Sequence, residues 1–140
     1  MSPFAICLYD TRIRAGLTQE EFAQLVGCDQ QYVSRLETGS KGPPTIAFVD
    51  RLCERLNLSD QERHELLQAL RASTRKLVID SDTPPEVFWM LAALRDRLPN
   101  LHPAQVRMIR EIVELPDQLT KRTPEPITRL KRRRNTEARM

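Results

Sequence analysis

The chain has 140 residues, 40% of them hydrophobic and 5% aromatic, which suits one modest domain or a small domain with an extension. No apolar run approaches the roughly 20 residues of a membrane span, and the first residues lack the basic and apolar regions of a signal peptide. We therefore expect a cytoplasmic protein with no membrane partner. The net charge of +3 is uneven: residues 1–74 hold 8 Lys and Arg against 10 Asp and Glu, whereas residues 117–140 hold 8 against 3.

The spacing of apolar residues predicts a chain that is almost wholly α-helical. A first helix is expected over residues 4–15 and should stop at Gly16, which suits a left-handed backbone. Thr18 and Glu21 form a predicted capping box, in which each side chain binds the backbone N–H of the other residue, so a second helix begins there. Its inward face should carry three apolar side chains, Phe22, Leu25 and Val26.

Three more helices complete a predicted compact unit of about 70 residues. Asp29 suits the N-cap of a third helix over 30–37, which should end before Gly39. A fourth helix is expected over 46–56, with Asn57 in the left-handed position after it. The fifth helix is defined by a second capping box, Ser59 and Glu62, and by the inward residues Leu66, Leu67 and Leu70.

The third helix carries polar groups suited to reading DNA. At about 100° per residue, Val33 and Leu36 point inward, and the opposite side presents glutamine and arginine. Glutamine can bind adenine through N6 and N7, and arginine can bind guanine through O6 and N7. The alternative is that these side chains only solvate an exposed surface. We call this side the outward face; it consists of Gln30, Gln31, Ser34 and Arg35.

Residues 8–59 resemble the Cro/repressor-like (XRE-type) helix-turn-helix family, which implies a lambda-repressor-like, five-helix DNA-binding fold. Thr11 departs from the pattern, because the family usually has an apolar residue there, and this predicts weaker core packing. The residues that carry the resemblance are Arg12, Gly16-Leu-Thr-Gln19, Phe22-Ala23, Leu25, Gly27, Val33-x-x-Leu36-Glu37-x-Gly39, Leu52 and Leu56.

The resemblance also implies roles for single residues. It implies base or groove contacts for the outward face, and phosphate contacts for Gln19, Tyr32 and Lys41. Arg12 and Glu37 match a structural ion pair of the family. The position of Glu37 agrees, because it falls on the inward side of the third helix, where an unpaired carboxylate would be costly.

After a linker at 80–85, two further amphipathic helices are expected over 85–98 and 103–115. In the first of them, residues 88–91 (Phe-Trp-Met-Leu) offer apolar side chains around most of one turn, more than one face needs. We therefore expect these helices to form or support a dimer interface; the alternative is that they extend the core of one monomer. The resulting domains are a helix-turn-helix DNA-binding domain at 1–75, a helical extension at 76–116 and a basic tail at 117–140.

The tail is rich in Pro, Thr and Arg and contains Arg-Leu-Lys-Arg-Arg-Arg at 129–134. This composition predicts disorder in the free protein. The tail is either a solvated run of charge with no fixed partner, or an electrostatic arm that lies on DNA phosphates or in a minor groove.

No arrangement of side chains in the sequence indicates catalysis or metal binding. Cys7, Cys28 and Cys53 are widely spaced and lie in no Cys-x-x-Cys motif, which favours free thiols. His64 and His102 are isolated, and there is no phosphate-binding loop. We therefore expect no enzyme activity, no metal and no cofactor.

These features predict a sequence-specific transcriptional regulator of bacterial type, which binds double-stranded DNA as a homodimer on an inverted repeat. Repression by promoter occlusion, including repression of its own gene, is the default mechanism; activation through contact with polymerase stays open. The main alternative is an antitoxin-like interaction protein. In that case residues 76–140 wrap a protein partner, and the DNA-binding domain only regulates the chain's own synthesis.

Overall fold

The computed structural model describes residues 1–115, and over this range the chain is all-α, as predicted, with no strand. The predicted basic tail at 117–140 lies outside the described residues. None of the helices within residues 1–115 is long and apolar enough to cross a membrane. The α-helices are α1 (Pro3–Arg14), α2 (Gln19–Val26), α3 (Gln30–Thr38), α4 (Ile46–Arg55), α5 (Asp60–Ala72), α6 (Pro85–Arg97) and α7 (Pro103–Val113).

The chain divides into two compact units, Met1–Asp80 and Ser81–Met140. The first unit contains α1 to α5, and the described part of the second contains α6 and α7. In the first unit α1 packs against α3 and α5, and α4 packs against α2 and α5.

Local signals set the helix boundaries of the first unit. At α2, the Thr18 hydroxyl accepts a hydrogen bond from the Glu21 N–H (3.2 Å), and the Glu21 carboxylate accepts one from the Thr18 N–H (2.8 Å). The same reciprocal pair, Ser59 and Glu62, opens α5, so both predicted capping boxes are confirmed. Asn57 has a positive φ of 50°, as its position after α4 predicted.

Asp29 lies at the N-cap of α3, as predicted, but its side chain makes no capping hydrogen bond. The backbone carbonyl of Asp29 instead accepts from the N–H groups of Tyr32 (3.0 Å) and Val33 (3.2 Å). The predicted N-cap position of Asp29 is therefore confirmed, without a side-chain capping bond.

A single core fills the space between the five helices of the first unit. The prediction that Leu25 points inward is wrong: Leu25 is 38% exposed, and Ala23 takes the third inward place on α2. At about 100° per residue, Leu25 lies roughly 110° from the middle of the face that Phe22, Ala23 and Val26 form, so it points to solvent. The fully buried large side chains are Phe4, Leu8, Phe22, Val26, Val33, Leu36, Val49, Leu52 and Leu66.

Two other expectations about packing concern Leu67 and Thr11. Leu67, predicted to point inward on α5, lies at the edge of the core and is only partly buried. Thr11, the departure from the family pattern, is 4% exposed, and its hydroxyl donates to the Cys7 carbonyl at 2.7 Å. Because that bond satisfies the hydroxyl within the helix, Thr11 is accommodated in the core without an unpaired polar group.

Helices α6 and α7 of the second unit both begin with proline. They begin at the predicted residues 85 and 103, and they end one and two residues before the predicted 98 and 115. His102 caps α7: its Nδ1 accepts from the Ala104 N–H at 3.1 Å, and the Gln105 side chain accepts from the His102 N–H at 2.9 Å. Neither α6 nor α7 contains a buried residue.

Candidate nucleic-acid interface

A tight turn joins α2 to α3. Gly27 takes a left-handed conformation with φ 81°, which side chains rarely adopt. The N–H groups of Gly27 and Cys28 both donate to the Ala23 carbonyl, at 2.8 and 2.9 Å, and so end α2. Val33 and Leu36 then enter the core from α3. The turn and these two side chains together determine which side of α3 faces solvent.

The outward face lies where the sequence predicted it. Gln30, Gln31 and Arg35 are exposed, and Ser34 is partly buried. Within residues 1–115, the guanidinium of Arg35 forms no ion pair. The face therefore presents two amides, a hydroxyl and an uncommitted cation to solvent, which is a set of groups that can bind base edges.

The loop after α3 is tied back to the helix. The Arg35 carbonyl accepts from the Lys41 N–H at 3.1 Å, and the Thr38 hydroxyl donates to the Ser34 carbonyl at 2.9 Å. An Arg75 N–H donates to the carbonyl of Gly39. Arg75 was not predicted from the sequence, because it acts across a separation of 36 residues that no local pattern reveals. These bonds hold Lys41 beside the C-terminal end of α3.

Lys41 of this loop lies beside Tyr32 of α3, and the resemblance assigned both residues to phosphate contacts. The Lys41 Nζ lies 4.8 Å from the centroid of the Tyr32 ring, a cation–π distance. Tyr32 in turn packs edge-on against Phe48, with ring centroids 5.6 Å apart. Burial raises the pKa of Tyr32, so its phenol is neutral at physiological pH and can donate a hydrogen bond.

A buried hydrogen-bond network links α1, α2 and α3. Arg12 donates to both carboxylate oxygens of Glu37, through Nε at 2.6 Å and Nη2 at 3.1 Å, and to the Leu17 carbonyl at 2.8 Å. Arg12 is 7% exposed and Glu37 is 4% exposed. The hydrogen bond that Arg12 donates to Glu37 raises the pKa of Arg12. The ion pair implied by the resemblance is therefore present and largely shielded from water.

Gln19 belongs to the same network. Its Nε2 donates to Glu37 Oε2 at 2.8 Å, so the first residue of α2 is attached to α3. An amide nitrogen has two hydrogens, and one remains available to an acceptor in solution. The carboxylate thereby orients the side chain that the resemblance assigned to a phosphate.

The three cysteines are free thiols; Cys7 and Cys28 are partly buried and Cys53 is buried. Burial raises the pKa of each of them above the usual value. A raised pKa lowers the thiolate fraction at neutral pH and with it the reactivity. Residues 1–115 contain no group of three or more His, Cys, Asp or Glu side chains that could hold a metal ion.

Comparison with known proteins agrees with this geometry. A family model described as a helix-turn-helix domain matches residues 3–66. No curated protein and no solved structure matches the chain. The matched range includes α1 to α4, the first part of α5 and all the residues of the resemblance to the Cro/repressor-like family. Residues 3–66 are thus similar to the helix-turn-helix domain that this family model describes.

Proposed function

We propose that this chain is a sequence-specific DNA-binding transcriptional regulator whose α3 enters the major groove. The observation that carries the proposal is the outward face, in which Gln30, Gln31 and Arg35 are exposed on a helix anchored by two core side chains. An α-helix fits a major groove of about 12 Å. Gln31 and Arg35 are the residues assigned to base edges at the centre of the contact, and Gln30 and Ser34 flank them.

Contacts to the DNA backbone fix the register of such a helix on the duplex. Gln19 and Lys41 lie next to the two ends of the helix-turn-helix, and hydrogen bonds to α3 hold both of them. Tyr32 packs beneath Lys41 and offers a neutral hydroxyl. We assign these three side chains to phosphates.

We further propose that the regulator acts in the bacterial cytoplasm as a homodimer on an inverted repeat. A single domain of this size contacts few base pairs, and two-fold doubling places two copies of α3 about one helical turn apart. Occlusion of a promoter, including the promoter of its own gene, is the mechanism that needs nothing beyond such binding.

The test is selection of bound sequences from random duplex DNA. The wild type should enrich a palindrome, and the double variant Gln31→Ala/Arg35→Ala should lose it. A matched control is Arg55→Ala/Gln68→Ala, which removes the same two residue types from exposed positions on α4 and α5. If the wild type enriches nothing, or if the motif survives the first double variant, then α3 does not read DNA.

An antitoxin-like protein is the second candidate function, and one observation favours it. The second unit exposes large apolar side chains, including Trp89 at 77%, as a surface that binds another protein would. In that case a different polypeptide should co-purify with the full chain in a stoichiometric ratio. Purification of a chain without such a polypeptide would argue against this candidate.

A further inference from the structure

In residues 81–115, the described part of the second unit, the helices carry many apolar side chains and no residue is buried. Ten large apolar residues between 81 and 115 are at least 38% exposed, with Trp89, Ile112 and Val113 at 77%, 65% and 78%. A short helix gains most of its stability by burying an apolar face. The described residues of this unit therefore lack the cover that two such helices need.

Helix α7 carries two apolar ridges. The first, with Val106, Ile109 and Val113, lines a groove together with Leu94 and Leu101 of the same unit. The second ridge consists of Met108 and Ile112, which are 61% and 65% exposed. At about 100° per residue it lies roughly 110° around the helix from the first. The two ridges therefore point in different directions, and only the first lines the groove.

Helix α6 also exposes apolar side chains on more than one face. Phe88, Trp89 and Met90 follow one another, so they span about 200° of the circumference, and they are 46%, 77% and 59% exposed. A helix that is apolar on most sides is typical of the interior of an assembly. Aromatic residues and methionine are also enriched in the cores of protein interfaces.

We propose that the second ridge of α7 and the exposed side of α6 are covered by the same surfaces of a second copy of this chain. The exposed area suits such an interface. Large side chains present about 150–250 Å² each when fully exposed. The five on the proposed surface, about half exposed or more, offer on the order of 600 Å² per chain, which is most of the about 800 Å² per partner in a stable interface.

The charge of this unit also permits self-association. Residues 81–115 contain 4 Arg against 5 Asp and Glu, so the surface is nearly neutral. Two identical copies of it do not repel each other, and it offers no excess of one sign to a strongly charged partner. The inference rests on the proposed function in one respect, since the DNA-bound homodimer needs an interface between its two copies.

The experiment is sedimentation equilibrium of the full chain over a range of concentrations, without DNA. The wild type should be a dimer. The double variant Met108→Gln/Ile112→Gln should raise the dimer dissociation constant by about 100-fold or more, because four apolar side chains leave the interface. Glutamine is a good helix former, so α7 itself should persist. A circular dichroism spectrum checks that α7 persists. Trp89→Ala tests independently whether α6 lies in the dimer interface.

The matched control is Ile6→Gln/Ile13→Gln, which replaces two α1 residues that are 48% and 50% exposed. This variant should sediment as the wild type does. A wild type that is monomeric at all concentrations overturns the proposal, and it then leaves a different protein as the partner of α6 and α7. So does a control that dissociates while the α7 variant stays dimeric, since the interface would then lie in the first unit.

Binding to a single half-site separates this result from the proposed function. A monomeric wild type that still binds the half-site refutes the α6–α7 interface alone. A dimer that depends on Met108 and Ile112 but selects no DNA sequence refutes the DNA-reading function alone.

Discussion

Gln19 Nε2 lies 2.8 Å from Glu37 Oε2, so the side chain that begins α2 is attached to the carboxylate that also binds Arg12. Removing the Gln19 side chain should therefore weaken DNA binding more than it lowers the stability of the fold. In Gln19→Ala, Glu37 keeps its two hydrogen bonds with Arg12. We therefore expect the free energy of unfolding to fall by only about 1 kcal/mol. Affinity should fall by a similar factor for all operator variants, since a phosphate contact carries no sequence information. Fluorescence titrations against a set of operators test this; a change in sequence preference would contradict it.

Glu37→Gln should destabilise the first unit strongly. The substitution leaves the Arg12 guanidinium, 7% exposed, without its counter-charge. Breaking a buried pair in this way costs about 3–5 kcal/mol. Urea unfolding measures the loss. The control is Asp50→Asn, which breaks the exposed pair with Arg63 and should cost no more than about 1 kcal/mol. Similar losses in the two variants would show that the network is not shielded from water.

Lys41→Ala should weaken binding to all DNA sequences and flatten the salt dependence. Each phosphate contact by a cation contributes about 0.9 to the slope of log K against log salt on duplex DNA. We therefore expect the slope to fall by about that amount. Arg55→Ala removes an equal charge from an exposed position on α4 and serves as the control. An unchanged slope for Lys41→Ala would remove Lys41 from the interface.

The two capping boxes predict a loss of stability in acid. The N–H bonds from Thr18 and Ser59 lower the pKa of Glu21 and of Glu62 below the usual value of 4.5. Because the folded-state pKa is lower, both carboxylates stabilise the folded state above pH 4.5, and this contribution disappears as the pH falls through the folded-state pKa. Unfolding curves between pH 7 and strong acid measure it.

The variants Glu21→Gln and Glu62→Gln keep a side-chain acceptor but do not titrate. Their stability should therefore depend less on pH than that of the wild type. A steeper acid loss in these variants would contradict the proposed linkage.

The thiols should react slowly with a disulfide reagent at neutral pH. The buried Cys53 is expected to react last, since it is 8% exposed and burial raises its pKa. In the urea-unfolded protein, the thiols should all react at the same rate, since Cys7, Cys28 and Cys53 are then equally accessible. If Cys53 reacted first in the native protein, the core around α4 would have to open readily.

Local chemistry explains why much of the first unit was predictable from the sequence. The capping boxes at Thr18 and Ser59 and the left-handed position of Asn57 depend on residues within one turn of each other. The outward position of Gln31 and Arg35 follows from helical periodicity, once Val33 and Leu36 are taken as inward. The roles assigned to these two side chains at DNA stay predictions.

Only the tertiary structure decided the remaining features. Leu25 is apolar and fits a helical stripe, but the packing partners of α2 place the middle of its buried face nearer Ala23. The contacts between Arg75 and Gly39, and between Lys41 and Tyr32, join residues whose approach depends on how whole helices pack. Periodicity determines which residues share a helix face, whereas the direction of that face and its neighbours depend on the arrangement of the other helices.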